Sequence, residues 1–324
     1  MGALPKQRPV FEPETPETAA FAADAVRGLM ATPKRLAPKY FYDHEGSQLF
    51  EEITRQPEYY PTRSEIEILR EHAGDMAKLM PNGLVLIEFG SGAATKAKIL
   101  IEAALPKLAA YIPVDISGEF LEQEAAELRK AFPSLTVAPV VADFMQPFEL
   151  PAIAAGKVRA GFFPGSTIGN LEPHDAAVFL RHAGVLLGHN SLLFIGVDLV
   201  KDADILNAAY NDKAGVTEAF NFNLLSRMNR ELGADFQREN FEHHAFYNRE
   251  RRRIEMHLAS LKRQRVRVAG QTIDFRAGDT IHTENSYKYT QASFSALARG
   301  SRWTPVNMWT DSDNLFSVHA LVHK

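Results

Sequence analysis

Apolar positions along this chain change their spacing twice. Over 16–30, Phe21, Ala25, Val26 and Leu29 recur at helical spacing behind Thr15 and Pro16, an N-cap with proline at the first helical position, so a first helix is predicted there. The following stretch, PKYFYDHEGSQLFEEITRQPEYYP over 38–61, is dense in aromatics (Tyr40, Phe41, Tyr42, Phe50, Tyr59 and Tyr60), which is unusual for a linker. Thr62 to Glu65 reads as a capping box, with Leu69, Ala73, Met76 and Met80 at helical spacing behind it.

From residue 84 the pattern becomes short apolar runs alternating with helices. Strands are predicted at 84–92, 109–117, 136–144, 159–170 and 191–199, with helices at 94–105, around Leu121 to Phe132, and at 174–187. Continuous apolar strands in β-α-β alternation indicate a parallel sheet covered on both faces. After 200 the rhythm breaks. Helical stretches at 202–211 and 214–232 end at Gly233, a β-like stretch covers 241–283, and the tail offers a helix at 290–299 and two strands joined by DSDN. A two-strand hairpin after the fifth parallel strand completes a seven-stranded sheet.

Composition narrows the chemistry. The 324 residues suggest about two domains. The absence of Cys excludes a disulfide scaffold, a thiolate metal site and a cysteine nucleophile. The opening MGALPKQRPVFEPETPETAA has no apolar h-region and the longest apolar runs are too short to span a bilayer, so a soluble, cytoplasmic protein with no membrane partner is expected. The formal charge of −4 gives no global attraction to nucleic acid.

The strand ends carry the candidate chemistry. Gly90 and Gly92 follow the first strand, where glycines let a ligand approach the backbone near a helix N-terminus. Thr95 stands where a dinucleotide fingerprint wants its third glycine, and no Walker-type loop is present. Asp115, 25 residues beyond Gly90, ends the second strand, where it can accept both hydroxyls of a ribose. Asp143 and Phe144 end the third, offering a carboxylate to the adenine amine and a ring to stack on it, and GSTIGN over 165–170 ends the fourth. A Gly-x-Gly is also a plain turn, and an Asp at a strand end also caps helices. Their ordered recurrence favours an adenosine ligand without phosphates, S-adenosylmethionine (SAM).

Longer motifs then become recognisable: YFYDHEGSQLFEEITRQPEYYPTRSE, EFGSGAATK, PVDIS, ADF, GSTIGN, VDLVKD, AAYNDKAGVTEAFNFNLLSRMNRELGADF, RIEMHL and HTENSYKY. From about residue 20 to the C-terminus the chain closely resembles the L-histidine Nα-methyltransferases of ergothioneine biosynthesis. The resemblance implies a class I SAM-dependent methyltransferase core, a Rossmann-like seven-stranded sheet, over 62–200 and 287–324. It also implies a discontinuous α+β histidine-binding domain over 1–61 and 201–286. The implied reaction is SAM-dependent trimethylation of the α-amine of L-histidine to hercynine. Gly90, Lys96, Asp115, Asp143 and Phe144 would bind the donor. Tyr59, Asn170, Tyr210, Glu284 and Ser286 would bind L-histidine, and Tyr42 would lie near the reacting amine; Tyr59 and Tyr60 are not separable at this level. Met256 is either near the ring pocket or a strand core residue. Phe89 and Pro164 depart from the family pattern without replacing a proposed contact.

Other readings compete. Methylation of another amino acid such as tryptophan, a substrate among relatives, is disfavoured by the Glu284 and Ser286 pair. An RNA methyltransferase would draw on the eight Lys/Arg against two Glu over 249–267, but a solvated or edge strand carries such charges too, and the stretch lacks interleaved aromatics and the chain a basic overall balance, so no nucleic-acid partner is expected. A non-enzymatic adenosine-binding module would not need Glu284, Ser286 and Tyr210. His243-His244, and His319 with His323, lack carboxylates at ligand spacing, so no metal is expected, and the chain is expected to act as a monomer.

Overall fold

The structure, a computed structural model, describes residues 11–324. The proline-rich opening over 1–10, where the expected substrate domain begins, lies outside the described residues. Helix α1 (Pro16–Met30) starts where predicted, with the Thr15 hydroxyl accepting from Thr18 N, and buries Phe21, Ala22, Ala25 and Leu29. A two-residue strand β1 (Lys34–Arg35) and a 3-10 turn at Pro38–Phe41 follow. Inside the aromatic stretch, α2 (His44–Arg55) is capped by Asp43, which accepts from Gly46 N. The expected capping box at Thr62 is corrected: α3 (Tyr60–Leu79) has Tyr59 at its N-cap, three residues earlier, with Pro61 in its first turn. Glu65 cannot reach back to a cap because its carboxylate accepts from Gly165 N and pairs with Lys96.

The core then runs β2 (Leu84–Phe89), α4 (Thr95–Ala104), β3 (Leu108–Asp115), α5 (Gly118–Ala131), β4 (Thr136–Val137), β5 (Val140–Val141), β6 (Arg159–Phe163), α6 (Pro173–Leu187) and β7 (Leu192–Asp198). All five predicted strands run past the observed ones, the third and fourth most of all. The third, at 136–144, splits into β4 and β5 around Pro139, which has no N–H for the ladder, so Asp143 and Phe144 lie in the turn beyond. The fourth stops at Phe163 before Pro164; Gly165 (φ 76°) and Ser166 (φ 54°) are left-handed, and Thr167–Asn170 is a 3-10 turn.

Beyond β7 come α7 (Ala203–Ala209), α8 (Val216–Leu232), β8 (Phe241–Asn248), β9 (Arg253–Ser260), β10 (Gln264–Val268), β11 (Gln271–Phe275), β12 (Thr280–Tyr287), α9 (Gln291–Gly300), β13 (Trp303–Thr310) and β14 (Phe316–His323). The main sheet has the order β13-β14-β7-β6-β2-β3-β4, with β5 also on β3, and only β14 runs antiparallel to its neighbours. This is the Rossmann-like class I methyltransferase arrangement. Strand order reverses between β2 and β6, so the carboxyl ends of β2, β3 and β6 border the crevice where such sheets take ligands.

A second sheet, β1-β12-β9-β8, stands beside the main one. Its apolar face joins one core in which Phe21, Leu29, Phe41 and Ile53 from the N-terminal segment meet Leu206, Phe220, Met228, Met256 and Ile281 from beyond β7. Tyr289 N donates to Asp198 O at 3.0 Å, and Lys288 N donates to Arg252 O at 2.8 Å, so the chain leaving β12 is stitched to both.

Candidate active site

The turn after β2 is held by backbone. Gly90 N and Ser91 N both donate to Val114 O, at 2.9 and 3.1 Å, and Gly90 has φ 70°. A Cβ at Gly90 would sit 3.4 Å from the Phe144 ring, so the structure brings this glycine and this aromatic together. Beneath them Glu88 is buried and accepts from Ser91 Oγ at 2.7 Å and from the Tyr111 hydroxyl. Burial pushes Glu88 up to about 7, against the hydrogen bonds from Tyr111 and Ser91.

Asp115 closes β3, with Oδ1 accepting from Ser117 N at 2.9 Å. Burial raises it to about 6, partly offset by the Ser117 and Ile116 amides. Asp143 accepts from Met145 N at 2.9 Å and has Lys39 Nζ 3.6 Å away. Phe144 packs edge-on against Phe163 and Phe179, with ring centres 5.4 and 5.6 Å away. Lys96 reaches Glu65 Oε2 at 2.7 Å, the same oxygen that takes Gly165 N at 2.7 Å. Glu65 Oε1 is buried and has no partner among the described residues.

A second group of aromatics comes from the 38–61 stretch and from beyond β7. Tyr42 lies edge-on to Phe50 and Phe220, at 5.8 and 5.9 Å, and Tyr59 lies edge-on to Tyr210 at 6.2 Å. Burial pushes the Tyr42, Tyr59 and Tyr210 phenols well above their ordinary 10, and the Glu284 charge pushes all three further. Tyr42 also feels Asp115. The four side chains therefore lie within one another's electrostatic reach, and Tyr42 within that of the end of β3. Tyr60 turns the other way, donating to Asp198 at 2.8 Å.

Strict alternation along β12 would send Ile281 and Glu284 to opposite faces. Thr283 shares the inner face with Ile281 and donates to Asn221 Oδ1 at 2.7 Å, and the register then shifts between His282 and Glu284, a bulge that puts Glu284 on the inner face as well, opposite Met256. Met256 is 1% exposed and belongs to the apolar core. Burial raises Glu284 to about 7, with the Lys288 charge pulling back, and its carboxylate has no hydrogen-bond partner among the described residues. Asn170 ends the 3-10 turn that packs on β12 so closely that a Cβ at Gly169 would fall 2.8 Å from Tyr287 O.

Three polar residues here, Asp198, Lys201 and Lys288, were not singled out from sequence. Asp198, Lys201, Tyr60 and Lys288 form one buried cluster behind Ser286 and Tyr210. Asp198 lies below the usual carboxylate range: burial raises it, but Lys288 and Lys201 outweigh that. Burial lowers Lys201 to about 8 against the pull of Asp198. The available signal was an acidic residue ending an apolar strand, the same signal that marked Asp115.

On the outer face of the small sheet, Glu255, His257 and His282 place one ligand atom each within 4.8 Å of one another. No spacing along the chain marks this trio, because its members meet only across paired strands. The two rings stack at 4.6 Å with 14° between planes, so their nitrogens point along parallel planes rather than at one point. His282 Nε2 is engaged with Glu284 O at 3.0 Å.

The model of the histidine-specific, SAM-dependent methyltransferase family matches residues 21–323. The chain is similar to a histidine N-alpha-methyltransferase of Mycobacterium tuberculosis, 41% identical over 304 residues that cover 92% of this chain and 94% of that protein. It is similar to one of Mycolicibacterium smegmatis, 39% identical over 93% of this chain and 96% of that protein. It also matches ergothioneine biosynthesis protein 1 of Neurospora crassa, 32% identical over 89% of this chain and 33% of that longer protein. With nearly its whole length matched, the chain belongs to the family of histidine-specific, SAM-dependent methyltransferases.

Proposed function

We propose that this chain transfers methyl groups from SAM to the α-amine of L-histidine, giving hercynine, the first step of ergothioneine biosynthesis. The observation that carries the reading is the Glu284 carboxylate, half-buried within the electrostatic reach of Tyr42, Tyr59 and Tyr210 and left without a hydrogen-bond partner among the described residues. A carboxylate drawn partly out of water without a partner is costly unless a ligand donor meets it. The imidazole N–H is such a donor, and Tyr59 and Ser286 would meet the ring's other edge. Asn170 and Tyr210 would hold the α-carboxylate and amine.

On the donor side, Gly90 lets the backbone approach, Phe144 offers a ring face and Asp115 keeps lone pairs for ribose hydroxyls. Asp143 would take the adenine amine. Lys96 would exchange part of its pairing with Glu65 for the donor's carboxylate. SAM supplies an electrophilic methyl on a sulfonium, and the residues' task is to align a neutral amine with it. Tyr42, whose phenol stays protonated, would orient that amine without acting as a phenolate base. Desolvation and the neighbouring positive sulfur favour loss of the amine proton.

We place the donor core at 62–200 and 287–324 and the histidine-binding domain at 1–61 and 201–286, supported by the apolar core that the latter two segments share. The protein would work in the cytoplasm as a monomer without a metal or nucleic-acid partner, since displacement at a sulfonium requires neither. Among the described residues no helix is long and apolar enough to cross a membrane. Mass spectrometry of L-histidine incubated with enzyme and SAM tests the reading. A product carrying three added methyls is expected, and unmodified histidine beside a methylated nucleic acid or other amino acid would overturn it.

A further inference from the structure

The Lys288 side chain has no exposed surface, and its ammonium has three N–H groups. Each meets one oxygen: Asp198 Oδ2 at 2.6 Å, Ser286 Oγ at 2.7 Å and Tyr210 Oη at 3.4 Å. Asp198 is fixed in turn, accepting from Tyr60 Oη at 2.8 Å on both oxygens and from Lys201 on Oδ1. Lys201 also donates to Tyr60 Oη at 2.6 Å and to Leu199 O at 2.6 Å. Every donor of Lys288 is therefore spent inside the protein, so it does not reach a substrate.

An ammonium cannot accept a hydrogen bond. A hydroxyl facing it must accept from it, and its own proton is then left to point elsewhere. We propose that Lys288 is a positioning residue that fixes Ser286 and Tyr210 as donors into the amino-acid pocket, so that the site selects the neutral imidazole with its N–H toward Glu284 and its bare nitrogen toward Ser286. The proposal rests on the reading of Ser286, Tyr210 and Glu284 as substrate residues. Tyr210, polarised in the same way, donates to the α-carboxylate. The hydrogen-bond pattern of the pocket becomes acceptor at Glu284 and donor at Ser286, which only a ring carrying one N–H and one lone pair completes. Indole and imidazolium each leave a buried group mismatched, and such mismatch discriminates far more strongly than the loss of a methylene.

The test compares L-histidine with a pyrrolylalanine analogue that keeps the ring N–H and replaces the bare nitrogen by C–H. The wild type is expected to prefer histidine in kcat/KM by at least about tenfold. In Lys288→Met the histidine KM rises about tenfold or more, the preference falls toward that of Ser286→Ala, and the donor KM stays within about twofold. The double variant Lys288→Met/Ser286→Ala shows the same preference as Ser286→Ala alone, because the two act as one unit. A general structural defect would slow both substrates and leave the preference intact, so Lys288→Met with the wild-type preference overturns the proposal.

Should Lys288→Met not fold, the wild-type enzyme answers directly. With ring-15N L-histidine and S-adenosylhomocysteine bound, nitrogen NMR is expected to show one N–H and one hydrogen-bonded bare nitrogen. Two N–H signals overturn the proposal. Ser286→Ala with undiminished preference in an enzyme that methylates histidine removes the Ser286 assignment and the proposal with it. A wild type that does not methylate histidine at all fails the proposed function instead.

Discussion

Replacing Glu284 by Gln separates the stability of the fold from its affinity for substrate. In the folded protein, burial lifts this carboxylate from 4.5 to about 7. A carboxylate raised in this way contributes stability that is fully present below pH 4.5 and lost as pH rises through about 7. The climb, at about 1.36 kcal/mol for each pH unit, makes the ionised Glu284 at pH 8 a destabilising presence of at most about 3 kcal/mol. Glu284→Gln removes that charge and keeps the shape. At pH 8 the ligand-free variant is therefore expected to melt a few degrees above the wild type, whereas at pH 4.5 the two should coincide. The same substitution removes a charge-assisted acceptor for the imidazole, a loss of about 1.5–3 kcal/mol, so the histidine KM should rise about ten- to one hundred-fold. Asp115 and Glu88 titrate nearby, but both proteins retain them and the comparison cancels their effect. Differential scanning calorimetry across pH and initial rates at pH 8 measure the two effects. A variant that melts below the wild type at pH 8, or binds histidine equally well, would refute the reasoning.

Other outcomes follow from the same geometry. Asp115→Ala should raise the donor KM at least about tenfold and leave the histidine KM nearly unchanged. Because burial raises Asp115 to about 6, donor affinity in the wild type should fall as pH drops through that value, visible by isothermal titration. Gly196→Ala would put a Cβ 2.0 Å from Glu65 Oε1 and expel that carboxylate from Gly165 N and Lys96, so urea unfolding should reveal a loss of about 3 kcal/mol or more. A wild-type midpoint would show that Glu65 has room to move. Tyr59→Phe should raise the histidine KM with little change in stability, whereas Tyr60→Phe, which strips a donor from Asp198, should lower the unfolding midpoint. The reverse pattern would exchange the two tyrosines.

Much of the architecture could be read from sequence because it rests on local rules. A buried parallel strand must be continuously apolar, as LVLI and LLFIGV are, and a strand that runs into Gly or Pro must stop. The first helix, the five parallel segments and the closing hairpin follow from those rules, as does the recurrence of acidic residues at strand ends. Where two local rules competed, tertiary contacts decided. Glu65 suits a capping box, yet its carboxylate, itself buried, went to Gly165 and Lys96, where a half-buried amide and a half-buried cation meet it. Pro139 cut one predicted strand in two.

The site's motifs were legible one at a time, but their meeting was not. A bulge turns Glu284 inward against the two-residue period of its strand. Tyr59 and Tyr60 are chemically identical neighbours, and only the position of Asp198, 138 residues from Tyr60, sends one to the ion cluster and leaves the other beside Tyr210. The sequence by itself determined the elements, the sheet class and the chemical types at the strand ends, because these depend on the spacing of neighbours along the chain. The tertiary structure alone decided which buried charges share partners, because desolvation forces each to find an opposite charge or a donor wherever the fold brings one.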